Sequence, residues 1–369
     1  MRLIAVLIGI LIGGAGTAGA ATAATAENPI PVFAYHYIWF NATSWDRAKT
    51  DYPLVGRYSS DETGVMRQQI RWAKQAGIDA FIVSWKSTNT LNRRLEKLIG
   101  VARSEDFQLA VIYQGLDFER EPLPIEQVRA DMQYFADTYA SDPVFATMQK
   151  PLLIWSGTWR YTHDEIDYVA TPLRSRLLVL ATERNNAGYE RLADVVDGNA
   201  YYWSSGDPLR TPGYAKRLEE MGDLVHQSGG LWIAPFAPGF DARLIGGHTV
   251  IPRREGETLR HSLGAAIASS PDALGLISWN EFSENTHVEP SERYGASSLH
   301  ELSDALGASF VMGADFDSSE PAATDISHGR PMLLGLVAFM FIGVFTFIWR
   351  ARGGGGDGPG TQMTGESPT

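Results

Sequence analysis

From Val32 to Pro290 the chain alternates between two hydrophobic periods. Short apolar runs read as buried strands: Val32 to Trp39, Asp79 to Trp85, Gln108 to Gln114, Pro151 to Trp155, Leu177 to Glu183, Asn199 to Trp203, Leu231 to Phe236, and the run that opens at Leu274. Between them apolar residues recur at helical spacing. Met66, Ile70 and Ala73 form one stripe, and Leu91, Leu95, Leu98, Ile99 and Ala102 the next. Val128, Met132, Phe135 and Tyr139 form a third; Tyr214, Leu218, Met221 and Val225, then Leu259, Leu263, Ala266 and Ile267, complete the set. Weaker helical patterns run from Asp164 to Leu173 and from Gly188 to Val196. About eight strands with intervening helices over about 270 residues predict an α/β fold, a (β/α)8 TIM-type barrel. A doubly wound open sheet is the alternative arrangement of the same elements.

The termini follow different patterns. Residues 1–26 read as a secretory signal peptide: Arg2, an apolar stretch from Leu3 to Ile12, and small-residue cleavage sites at Ala18-Gly19-Ala20 or Ala24-Thr25-Ala26. The barrel domain is expected over 27–306, and a small, polar and acidic stretch over 307–330 reads as a flexible linker. Residues 331–349 are an uninterrupted apolar segment followed at once by Arg350 and Arg352. As a helix it would span roughly 28 Å, which predicts a single transmembrane helix with a disordered cytoplasmic tail over 350–369. The domain is therefore expected outside the cell membrane, tethered by one pass.

Composition narrows the chemistry. The formal charge of −12 argues against a nucleic-acid partner. With no cysteine, the chain has no disulfide and no thiolate nucleophile. The eight histidines show no pairing at metal-ligand spacing, so no metal site is expected. Ten tryptophans supply flat apolar faces of the kind that sugar rings stack on.

A barrel of this kind works at the C-terminal ends of its strands. Those ends carry Tyr35, His36, Tyr37 and Trp39, then Trp85, Tyr113 and Gln114, Trp155, Tyr202 and Trp203, and Phe240, Asp241 and Arg243. Aromatic and hydrogen-bonding side chains at nearly every strand end suit a polysaccharide or oligosaccharide substrate, and these residues are the candidate binding set. Asp241 and Arg243 fit either a sugar clamp or a simple loop pair. The last strand ends in Asn280, Glu281, Glu284 and His287. Residues three apart in a strand point to opposite faces, so the chain must turn at Phe282-Ser283 if the two glutamates act together. Two close carboxyls push each other's proton affinities apart, which divides them into an acid and a base. Glu289 and Glu292 read as loop charges.

The stretch Trp279-Asn280-Glu281-Phe282-Ser283-Glu284-Asn285-Thr286-His287-Val288-Glu289-Pro290 resembles the signature of glycoside hydrolase family 99, approximately Asn-Glu-Trp-His-Glu-Gly-Thr-x-Ile-Glu-Pro. Pro238-Gly239-Phe240-Asp241 and Tyr35-His36-Tyr37-Ile38-Trp39 also resemble strand ends of that family. The resemblance implies a (β/α)8 barrel that cleaves internal α-mannosidic bonds with retention and without a cofactor. It implies Glu281 as the base for the sugar 2-hydroxyl and Glu284 as the acid, then the base for water. Phe282, Ser283 and Asn285 depart from the family's Trp, His and Gly. An α-glucanase of the neighbouring family 71, and a non-catalytic glycan-binding protein on the same barrel, are the competing readings.

Overall fold

The computed structural model describes residues 30–313. The expected signal segment, the apolar segment 331–349 and the tail lie outside the described residues. Among the described residues, no helix is long and apolar enough to cross a membrane.

Eight strands make up the main sheet: β1 (Val32–Tyr37), β2 (Ala80–Trp85), β3 (Gln108–Gln114), β4 (Leu152–Ser156), β5 (Leu178–Leu180), β6 (Gly198–Ala200), β7 (Leu231–Phe236) and β8 (Ala273–Leu276). Every neighbouring pair is parallel, in the order β5-β4-β3-β2-β1-β8-β7-β6. The two ends of that order meet. Ala181 N–H donates to the Gly198 carbonyl at 2.9 Å, and Ala200 N–H to the Ala181 carbonyl at 2.8 Å. The sheet thus curls into a barrel, and the open doubly wound arrangement is excluded.

Helices α1 (Thr63–Gln75), α2 (Asn89–Ser104), α3 (Ile125–Thr138), α4 (His163–Ala170), α5 (Asn186–Glu190), α6 (Tyr214–Gln227), α7 (Glu257–Ala268) and α8 (Ser297–Leu306) surround it. Their starts follow local chemistry. Thr88 caps α2 by accepting from Leu91 N–H, and Thr162 with Glu165 forms a capping box on α4.

Strands β5 and β6 are shorter than their apolar runs because side chains replace the ladder beyond them. Asn199 Oδ1 accepts Glu183 N–H at 2.8 Å, while its Nδ2 donates to the Glu183 carbonyl at 3.1 Å. Gly198 is required where β6 meets β7: its φ is 151°, and a Cβ there would lie 2.1 Å from the Leu231 carbonyl oxygen.

Successive strand residues alternate between two cores. Phe33, Tyr35, Ile82, Ile112, Ile154, Ile233 and Ile277, with Ala80, Ala110, Ala200 and Ala273, fill the barrel interior. Val83, Trp85, Val111, Tyr113, Leu153, Trp155 and Trp232 pack outward with helix residues such as Leu95, Met132 and Phe135. This parity decides which strand-end side chains reach the mouth.

Candidate active site

The loop after β8 is closed on itself. Ile277 N–H donates to Phe236 O and Trp279 N–H to Tyr35 O, each at 2.8 Å, so the backbone stays tied to both neighbouring strands. It then folds back: Ser278 N–H donates to Thr286 O at 2.9 Å, and Glu289 N–H to Trp279 O at 2.8 Å. The Ser278 and Thr286 hydroxyls lie 2.9 Å apart inside the loop. The chain turns across Phe282 and Ser283, with Glu284 N–H 3.4 Å from the Glu281 carbonyl.

Both glutamates are buried. Glu281 N–H donates to Ser278 Oγ at 2.9 Å, and Glu281 Oε1 accepts Ser283 N–H at 3.0 Å. Glu281 Oε2 is buried and accepts nothing from the protein. Burial raises the Glu281 carboxyl from 4.5 to about 7, against the Ser283 hydrogen bond and the charge of half-buried Lys49. The Glu284 carbonyl accepts Asp241 N–H at 2.7 Å, which ties the turn to the short antiparallel pair Phe240–Asp241 and Val250–Ile251 that follows β7. Its carboxyl lies within electrostatic reach of Tyr37, Tyr202 and Arg120.

Tyr37 and Tyr202 bring the two acids into one site. Their hydroxyls are 2.6 Å apart. Each phenol is held well above its ordinary value of 10, by burial first and then by neighbouring negative charge, including that of Glu281 and Glu284. Trp39 stacks on Tyr37 at 4.4 Å and stays half-buried, and Tyr35 meets Tyr202 edge-on at 4.9 Å. The result is an aromatic wall beside two carboxyls, one of them basic enough to exchange a proton near neutral pH.

Other candidate residues lie elsewhere. His36, Trp85, Tyr113 and Trp155 occupy the outward register of their strands, Trp203 lies just past β6, and all five pack into the layer outside the barrel. His36 stacks on Phe81 at 4.5 Å and bonds Gln69 of α1. Trp85 packs on Phe135 of α3, Tyr113 donates to Asp131 at 2.9 Å, Trp155 packs on Tyr161, and Trp203 stacks on Tyr214 of α6. None of these five lines the barrel mouth, a correction that follows from strand parity. Gln114, in the inward register, donates to Ser84 Oγ at 3.2 Å. Phe240 is buried with Ala242 and Ile251 behind Tyr202. Asp241 and Arg243 pair with each other, Nη2 to Oδ2 at 2.6 Å. Asn280 clamps the Tyr37 backbone. His287 is buried between Asp51, at 3.4 Å, and Arg253. Burial, reinforced by the Arg253 charge, lowers its imidazole to about 3, so it stays neutral.

The sequence reading missed the loop's supports. Arg253 donates to the carbonyls of Asn285 at 3.1 Å and His287 at 2.6 Å, and to Ser298 Oγ at 2.8 Å. Thr50, in the segment between β1 and α1, donates through N–H and Oγ1 to Phe282 O at 3.0 and 2.7 Å. Lys49 stands beside it, facing Glu281. The length of that segment was the available signal, because long structureless connections in compact domains tend to be functional. Glu289 is no loop charge: it is buried and accepts from Tyr58 and Gln69. Among the described residues, no group of three or more His, Asp or Glu side chains is placed to hold a metal ion.

The profile of Glycosyl hydrolase family 99 matches residues 36–303. Among curated proteins, the chain is 20% identical over 270 residues to the glycoprotein endo-alpha-1,2-mannosidase-like protein of Mus musculus, and 21% identical over 270 residues to that of Homo sapiens. Each match covers 66% of this chain but only 58% of the relative, so the chain spans little more than half the length of these proteins. Among solved structures, the GH99 endo-alpha-mannosidase from Bacteroides thetaiotaomicron superposes with a TM-score of 0.65 at 18% identity, covering 75% of this chain and 95% of that one. A glycoside hydrolase-like protein superposes at a TM-score of 0.59 and 15% identity, covering 76% and 94%. At these identities the superpositions speak for the fold.

Proposed function

The chain belongs to glycosyl hydrolase family 99, and on that premise we propose that it is a retaining endo-glycosidase cleaving α-mannosidic bonds within a glycan. The observation that carries the reading is the placement of Glu281 and Glu284 on one buried turn, beside the joined hydroxyls of Tyr37 and Tyr202. The names of the curated relatives support the mannosidic linkage.

The proposed steps divide proton handling between the two acids. Glu281 takes the proton of the sugar 2-hydroxyl, and the 2-oxygen attacks the anomeric carbon. Glu284 protonates the departing glycosidic oxygen as that bond breaks. Glu284, now ionised, takes a proton from a water that attacks the anomeric carbon. The three-membered ring opens, and Glu281 returns its proton to the 2-oxygen. Two displacements at one carbon give retention. A carboxyl raised to about 7 by burial is a stronger base than an exposed one, which suits a group that must draw a proton from a hydroxyl. The stacked pair of Trp39 and Tyr37 offers an apolar face to a sugar ring.

The same proposal places the domain outside the cell membrane on a single-pass anchor. Its support is sequence alone: the signal-like segment 1–26 and the apolar segment 331–349 followed by arginines.

Digestion of a panel of α-mannans, α-1,3-glucan and other α-glucans, with products resolved by size and anomer, tests the reading. Internal cleavage of α-mannan with α-anomers released first is the expected result. Cleavage of α-1,3-glucan alone would transfer the assignment to an α-glucanase, and binding without release would make the chain a glycan-binding protein.

A further inference from the structure

Behind the candidate site lies a buried chain of hydrogen bonds that the proposed steps do not use. Asn280 Oδ1 accepts Tyr37 N–H at 2.8 Å, and that contact fixes the orientation of the amide. Asn280 Nδ2 therefore donates, to Tyr37 O at 3.0 Å and to the Tyr58 hydroxyl at 3.1 Å. Tyr58, having accepted that bond, turns its own proton to Glu289 Oε2 at 2.9 Å. From the other side, Gln69 Nε2 donates to Glu289 Oε1 at 2.9 Å, and His36 Nε2 stands 3.2 Å from Gln69 Oε1. His36 Nδ1 is buried without a partner, so the ring proton belongs on Nε2, where it has an acceptor. From both sides, each link of the chain donates to the next in the direction of Glu289. All five side chains are buried, so none can turn to water if a partner is lost.

We propose that Glu289 is a positioning residue: through Tyr58 and Asn280 it sets the end of β1, which carries Tyr37, against the loop that carries Glu281. Asn280 is the hinge of this arrangement. It precedes Glu281 in the chain and grips Tyr37 by both backbone groups. A carboxyl is needed at 289 because both of its oxygens must accept. In a Glu289→Gln variant an amide NH2 would face either Tyr58 or Gln69. Facing Tyr58, it leaves the Tyr58 proton without an acceptor. Facing Gln69, it flips that amide and forces the His36 proton onto Nδ1, where nothing accepts it. Tyr58→Phe breaks the same chain at its middle link and leaves Glu289 in place.

This inference rests on the reading that Glu281 and Glu284 cleave a glycoside, and its test separates the two. The full domain and its Glu289→Gln, Tyr58→Phe and double variants would be assayed on α-mannan, with folding checked by circular dichroism and thermal unfolding. Each single variant should lower kcat by about 10- to 100-fold with KM changed by less than about threefold, because misplaced groups lose turnover before they lose binding. The double variant should lose no more than the worse single, since both cut one chain. Unchanged kcat in a folded but less stable variant, or losses that multiply in the double variant, would overturn the proposal. If the parent cleaves nothing, the functional reading fails by itself. The positioning claim is then decided by crystal structures of the same variants: a displaced Asn280 and a broken Tyr37–Tyr202 contact support it, and an unmoved pair refutes it.

Discussion

The hydroxyls of Tyr37 and Tyr202 lie 2.6 Å apart although the residues are separated by 165 positions in sequence. One stands at the end of β1, the other just past β6, and both face the charges of Glu281 and Glu284. Tyr37→Phe and Tyr202→Phe each remove one hydroxyl and keep the ring. Each is expected to lower kcat/KM on an α-mannan by about 10-fold, roughly the worth of one buried hydrogen bond near the reacting groups. Unchanged kcat/KM in both variants would show that the pair only packs.

The buried titratable groups set the pH dependence of stability. Burial raises Glu281 to about 7, above the ordinary 4.5. The folded state then holds this proton longer than the unfolded chain, so the stability it contributes is full below 4.5 and lost as pH rises through 7. His36 and His287 are held by burial at about 3, below the ordinary 6.5. Their stability is present above 6.5 and lost as pH falls toward 3. The two effects oppose each other between 4.5 and 6.5, and above 6.5 only the Glu281 effect remains. Thermal unfolding should therefore show Tm falling between about pH 6.5 and 7.5, with a shallower fall in Glu281→Gln. His163, raised by Asp164 and Asp194, is exposed and common to both proteins, so the difference between them reports Glu281. An identical slope in parent and variant would show that Glu281 is ionised throughout.

Strand parity separates two kinds of tryptophan. Trp85 is fully buried against α3, whereas Trp39 is half-buried on Tyr37. Trp85→Leu should lower the unfolding free energy by about 3 kcal/mol and leave KM alone, as for other large-to-small core substitutions. Trp39→Ala should raise KM several-fold with a smaller loss of stability. Chemical denaturation and steady-state kinetics on the same preparations check both.

The barrel was largely legible in the sequence, because its strands and helices carry different hydrophobic periods. The run from Leu231 to Phe236 is the observed strand β7, residue for residue. The turn that brings the glutamates together was legible too, since residues three apart in a strand cannot share a face. Parity was also available and decides more than the strand ends alone. Tyr35, Tyr37 and Trp39 alternate with His36 and Ile38, and only the first set faces inward.

The loop's supports were not legible, because they come from far along the chain. Glu289 meets Tyr58 and Gln69 across 231 and 220 positions, and no local pattern marks such contacts. The departures from the family motif make sense only in the structure. Asn285 has φ of 57°, a left-handed conformation that Asn tolerates better than other side chains, where the motif has Gly. Phe282 is buried against Trp45 and His287, where an aromatic ring is what the space requires. Ser283 serves the Glu281 carboxyl through its backbone N–H and through its own hydroxyl.

The central claim is that Glu281 and Glu284 share one site and divide its proton transfers. The most direct test is the turnover of Glu281→Gln and Glu284→Gln on the α-mannan that the parent cleaves, with folding and glycan binding measured on the same samples. The account predicts that each variant folds, binds the glycan and loses at least about a thousandfold in kcat. A folded variant of either residue that retains turnover within about tenfold of the parent would contradict it.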